Sequence, residues 1–101
     1  MTILEEQSLL FEIDEENEDF NEIEVEDGSL HMFFNHFSIY IIVDPVNKKV
    51  WIWHGENASI RKKFIAAQKT PEIRNNYGVD FKITAIDEGS EPPEFKILVG
   101  L

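Results

Sequence analysis

Five consecutive residues, Ile39-Tyr40-Ile41-Ile42-Val43, do most to constrain the fold. A strand with one face in water alternates apolar and polar side chains. A run that is apolar at both parities is a central strand covered on both sides. The chain must therefore supply something to cover each face. Asp44-Pro45-Val46-Asn47 follows as a turn, because proline fixes φ and asparagine tolerates turn geometry. Lys49-Val50-Trp51-Ile52-Trp53 returns as the paired strand, so the two form a hairpin ending at His54-Gly55. Along it Trp51 and Trp53 share one face and Val50 and Ile52 the other. Large aromatic side chains so placed read as core.

The flanks supply the rest of a sheet and two helices. Residues 8–13 (Ser-Leu-Leu-Phe-Glu-Ile) read as a short strand, and Asp14 to Asp19 as an acidic turn. Phe20, Glu22, Glu24 and Glu26 alternate with Asn21, Ile23, Val25 and Asp27, which predicts a strand with Ile23 and Val25 inward. Asp27-Gly28 signals a turn. Leu30 to Phe37 is either a short helix or an irregular bridge. Asn57 or Ser59 caps a long helix starting near Ala58. On a 3.6-residue period Ile60, Phe64, Ala67 and Pro71 share one face, which predicts that face against the sheet. Proline inside a helix removes an N–H, so a kink or break is expected at Pro71, with Thr70 capping a second piece over Glu72 to Asn76. Asp80 to Asp87 alternates as a strand with Phe81, Ile83 and Ala85 on one side. Glu91-Pro92-Pro93-Glu94-Phe95 opens a short terminal helix with proline in its first turn. The expected class is α/β (α+β), a mixed sheet between helices.

At 101 residues with 43% hydrophobic side chains, one domain with one core is expected over residues 1–101. There is no cysteine, which excludes disulfides and thiolate metal sites. The net charge of −11 argues against nucleic acid, whose phosphates it would repel. That charge is uneven. Residues 1–30 hold twelve acids and no lysine or arginine, whereas Lys48, Lys49, Arg61, Lys62, Lys63, Lys69 and Arg74 face only Glu56 and Glu72 over 48–74. Met1-Thr2-Ile3-Leu4-Glu5-Glu6 lacks the basic and apolar regions of a signal peptide. No stretch approaches the roughly 20 apolar residues of a membrane span. The expectation is a soluble cytoplasmic protein.

With these segments in order, the sequence resembles the gelsolin/villin family. The hairpin from Tyr40 to Asp44 and from Val50 to Gly55 is similar to the family's hydrophobic strand, acidic turn, and strand ending in Trp-x-Gly. Ala58-Ser59, Ile73-Arg74-Asn75-Asn76 and Glu88-Gly89-Ser90-Glu91-Pro92 look like its helix start, helix end and Glu-Gly-x-Glu-Pro loop. Leu9-Leu10-Phe11 and Phe20-Asn21-Glu22-Ile23 fall where its first two strands lie. The resemblance implies a five- or six-stranded mixed sheet between a long helix (about 58–76) and a short one across the strands. It also implies control of actin monomers or filaments by sequestering, capping or severing, often under calcium. In actin-binding members the long helix enters the cleft between two actin subdomains. Related domains in vesicle coats bind no actin, so a non-actin interaction module or a homo-oligomeric scaffold is the alternative.

The candidate partner surface is the arc of the long helix opposite Ile60, Phe64 and Ala67: Arg61, Ile65, Gln68, Lys69 and Glu72. Ile65 ringed by charge has the layout of an interface anchor with a polar rim. The bland alternative is a solvated helix with one stray isoleucine. The family's acidic calcium ligands fall on Ile39 and Lys62, neither of which ligates calcium. No cofactor is therefore expected, and calcium enters only as a bridging or weakly bound ion. The run Asp14 to Asp19 lacks the glycine and spacing of an EF-hand loop and reads as a solvated turn. His31, His36 and His54 have no partner at metal spacing, so no metal is assigned to them. No nucleophile elbow, phosphate loop or positioned acid/base pair is present, so no enzyme is expected. Arg61, Lys62, Lys63 and Lys69 could meet anionic lipid headgroups such as phosphoinositides, but the acidic remainder of the chain opposes it.

Overall fold

A computed structural model describes residues 8–25 and 29–101. The expected turn at Asp27-Gly28 and the N-terminal hexapeptide lie outside the described residues. Strands β1 (Leu9–Asp14) and β2 (Asp19–Ile23) precede a 3-10 turn at Leu30–Phe33. Strands β3 (Ile39–Asp44) and β4 (Lys49–His54) follow, then helix α1 (Ile60–Tyr77), strand β5 (Lys82–Asp87) and helix α2 (Pro93–Val99). The five strands form one mixed sheet in the order β2-β1-β3-β4-β5. All pairs are antiparallel except β4 with β5, which are parallel because α1 carries the chain back between them.

The all-apolar run is the middle strand, buried at every position. Its two parities feed two cores. Ile39, Ile41 and Val43 join Phe11, Ile13, Val50 and Ile52 beneath Ile65, Ala66 and Ile73 of α1. Tyr40 and Ile42 join Leu10, Trp51 and Trp53 beneath Phe95 and Val99 of α2. Phe34 lies between Tyr40 and Trp53, with ring centroids 4.8 and 4.6 Å away. The Tyr40 hydroxyl donates to the Phe33 carbonyl at 2.7 Å, which ties the 3-10 bridge to the sheet.

The two hairpins share one device. Asp44 accepts from the Asn47 backbone N–H at 3.4 Å and side-chain amide at 2.8 Å, and Lys48 takes a positive φ of 55°. Asp14 accepts from Asn17 at 3.2 and 2.7 Å in the same way, and Glu18 has a φ of 52°. An aspartate that binds the backbone three residues on closes the turn locally. Those bonds, the Asn17 side-chain amide first, hold the Asp14 carboxyl below its ordinary value.

Helix α1 begins where Ser59 Oγ accepts from the Lys62 N–H at 3.0 Å. It then runs unbroken through Pro71 to Tyr77, which corrects the expected break. Thr70 does not cap a second piece: its hydroxyl donates back to the Ala66 carbonyl at 2.6 Å inside one helix. The carbonyl that Pro71 leaves without an N–H partner is that of Ala67, and Ala67 is exposed. Water can satisfy that group, so the helix need not break there.

Candidate partner-binding surface

The position of Pro71 decides which way α1 faces. A buried carbonyl without a donor is costly, so the side bearing Ala67 and Pro71 turns to water. Phe64 and Ile60 lie one and two turns before Ala67 on the same stripe. Ile60 is 84% exposed and Phe64 66%. The buried arc is Ile65, Ala66, Thr70 and Ile73, where the small Ala66 and Thr70 let the helix approach the sheet closely.

This reverses the expected orientation. Ile65 is 3% exposed and part of the core beneath α1, so it cannot anchor a partner. Arg61, Gln68 and Glu72 are exposed, and Lys69 is half-buried. Together with Ile60 and Phe64, the first three give two large apolar side chains bordered by polar ones, the layout of an interface centre and rim.

The acidic turn between β1 and β2 is not simply solvated, for it lies against the first half of α1. Arg61 pairs with Glu18, and Lys69 sits 3.9 Å from Asp19 and 3.7 Å from Glu72. The Ser59 hydroxyl donates to Glu15 at 2.9 Å. These exposed pairs add little stability. Their effect is to occupy Arg61 and Lys69 within the chain and to disperse the basic cluster. Lys62 is engaged too: its Nζ donates to the Phe37 carbonyl at 2.8 Å. Of the two positions on which the resemblance puts acidic calcium ligands, Ile39 is fully buried and Lys62 makes that bond.

The bond from Lys62 carries the loop before β3, and exposed Phe37 with it, to the first turn of α1. The same end of the sheet brings His36, Glu56 and Glu88 together from three loops, a grouping invisible in their spacing. On the other side of the sheet, Ile97 of α2 and Leu101 just after it are exposed, as is Met32 in the 3-10 turn. Trp53 Nε1 donates to Glu91 at 2.8 Å, and the Gly89 N–H donates to the other carboxylate oxygen at 3.0 Å. Burial opposes ionisation of Glu91, but the Trp53 indole, the backbone N–H groups of Glu91 and Gly89 and the charge of Lys96 together outweigh it and hold its carboxyl below the ordinary value.

A five-stranded mixed sheet with a long helix on one face and a short one on the other defines the gelsolin-like class of binding domains. The gelsolin repeat model matches residues 21–96, and the chain belongs to that family. Among solved structures it is similar to Thorarchaeota ProGel, crystallised in complex with rabbit actin. The TM-score is 0.81 at 26% identity, over 93% of this chain and 100% of that one. It is also similar to Thorarchaeota 2DGel3, likewise in complex with rabbit actin, with a TM-score of 0.67 at 22% identity. That match covers 94% of this chain but 46% of 2DGel3, so the chain spans less than half the length of that protein, and the likeness shows the fold alone. No curated protein sequence matches the chain. Among the described residues no helix is long and apolar enough to cross a membrane.

Proposed function

We propose that the chain is a single gelsolin-like domain that binds actin in the cytoplasm through the outward stripe of α1, with Ile60 and Phe64 as the apolar centre. The observation that carries this reading is the exposure of both side chains on the long helix of a gelsolin-family fold. Large apolar side chains held out on a rigid helix are what a partner's cleft buries. That ProGel, alike over its whole length, is crystallised with actin supports actin as the partner. Gln68 and Glu72 extend the rim, and Arg61 and Lys69 border it while paired to the acidic turn.

The action is binding and involves no turnover. One such stripe engages one actin at a time, which suits sequestering monomers or capping an end. Severing would need a second contact along the filament. The test is pyrene-actin polymerisation and co-sedimentation with the purified chain. A dose-dependent change in assembly supports the reading. No effect on any actin tested would overturn it and assign the stripe to another partner, as in a coat or scaffold.

A further inference from the structure

At the end of the sheet where β3 begins and β4 and β5 finish, three loops converge. His36 comes from the loop before β3, Glu56 from the turn leading to α1, and Glu88 from the loop after β5. One donor atom from each lies within 4.8 Å of the others. Backbone contacts hold the loops in place. The Gly55 N–H donates to the Ser38 carbonyl at 3.0 Å and the Asn57 N–H to the His36 carbonyl at 2.8 Å. Gly55 permits this approach, because a Cβ there would stand 2.5 Å from the His36 oxygen and 2.6 Å from that of Ser38.

The Glu88 carboxylate is aimed by its surroundings. Its Oε1 accepts from the Glu56 backbone N–H at 2.8 Å, which leaves Oε2 turned to His36 Nδ1, 2.5 Å away. Such a fixed outer bond is how proteins orient a ligating carboxylate. Two carboxylates brought this close repel unless a cation stands between them. Among the described residues no lysine or arginine pairs with Glu56 or Glu88, and the sole ionic partner is His36.

We propose that His36, Glu56 and Glu88 form a site for a divalent transition cation of the zinc class. One imidazole nitrogen with two carboxylate oxygens suits zinc and its neighbours, whereas calcium prefers an all-oxygen shell of six or more ligands. The three side chains are open to solvent on one side, which leaves coordination positions for water. The cation would add Glu56's carboxylate to the links that the backbone bonds and Glu88 already make between the three loops, beside Phe37 and the start of α1. This inference is independent of the actin reading.

The test uses the untagged chain stripped with chelator and titrated with zinc chloride or calcium chloride by calorimetry. Trp53 fluorescence gives a second signal, since Trp53 lines a 150 Å³ depression together with His36 and Glu88. The expected result is one equivalent of zinc bound at least ~10-fold more tightly than calcium, by the preference of this donor set. His36→Ala and Glu88→Gln should each weaken zinc by more than about 10-fold, the least that loss of even an outer partner usually costs. Circular dichroism checks that the variants fold. His54→Ala, which removes a histidine paired instead with Asp87, should leave zinc binding unchanged. No zinc uptake, or the same affinity in wild type, His36→Ala and Glu88→Gln, would overturn the assignment. So would a loss confined to His54→Ala.

Discussion

Phe64 and Ile65 are neighbours in the chain, and α1 turns the first to solvent and the second to the sheet. Phe64 is 66% exposed, and Ile65, at 3%, is part of the core under the sheet-facing side. The two therefore separate stability from binding. Ile65→Ala should destabilise the fold by about 2–5 kcal/mol, the usual cost of emptying a buried isoleucine. Phe64→Ala should stay within about 0.5 kcal/mol of wild type, as surface changes do. Urea denaturation followed by tryptophan fluorescence measures both. Equal losses would mean that Phe64 is packed in solution.

Pro71 offers a second test. It lies inside an unbroken helix whose unpaired carbonyl, that of Ala67, is on the exposed side. Replacing it with alanine restores an N–H and a better helix former. Pro71→Ala should stabilise the chain by about 1–3 kcal/mol. A loss of stability on denaturation would show that the helix geometry depends on the proline ring.

The orientation of α1 is the part of the site that helical periodicity alone inverts. The stripes Ile60-Phe64-Ala67-Pro71 and Ile65-Ala66-Thr70-Ile73 are both apolar enough to cover a sheet, so periodicity alone does not choose between them. The signal that chooses was present: proline at 71 orphans the carbonyl at 67, and an orphan must face water. Counting only the lost N–H predicts a kink or break at Pro71, whereas the direction of the freed carbonyl lets the helix continue. The sheet was far more legible. The doubly apolar Ile39–Val43 marked the central strand, and the parities of Val50 to Trp53 correctly divided the two cores. The strand-turn-strand chemistry at Asp44 to Asn47 was also readable. Its twin at Asp14 to Asn17 was hidden by the surrounding acids, and so was the docking of that turn on α1. The grouping of His36, Glu56 and Glu88 depends on three loops meeting, which no local pattern encodes.

Acid should weaken the fold through Glu91. Against the opposing effect of burial, its carboxyl is held below the ordinary glutamate value of 4.5 by the Trp53 indole first, then by the Glu91 and Gly89 N–H groups and the charge of Lys96. A depressed folded-state value means the unfolded chain binds more protons on acidification. The contribution is therefore present above about pH 4.5 and lost as the pH falls through the lower folded value. Glu91→Gln keeps an acceptor for the indole but cannot titrate. Its stability should fall less steeply than that of wild type on going from about pH 5 to pH 3, read from urea midpoints. Parallel curves would show that Glu91 is not coupled to folding.

Actin binding should be indifferent to calcium. The positions that would carry acidic ligands are Ile39, fully buried, and Lys62, whose ammonium bonds the Phe37 carbonyl. A cation placed there would meet that positive charge. Polymerisation curves recorded with the chain in calcium and in chelator should coincide once the effect of calcium on actin alone is subtracted. A calcium-dependent difference would point to a bridging ion shared with actin.

The most direct measurement is the affinity of monomeric actin for wild type beside Phe64→Asp, with circular dichroism confirming that the variant folds. If the outward stripe of α1 is the binding surface, the aspartate puts a charge at its apolar centre. Affinity should then fall by about 30-fold or more, corresponding to the ~2 kcal/mol of a central anchor. An affinity equal to that of wild type, in a folded variant, would contradict the account and move the actin contact to another face of the domain.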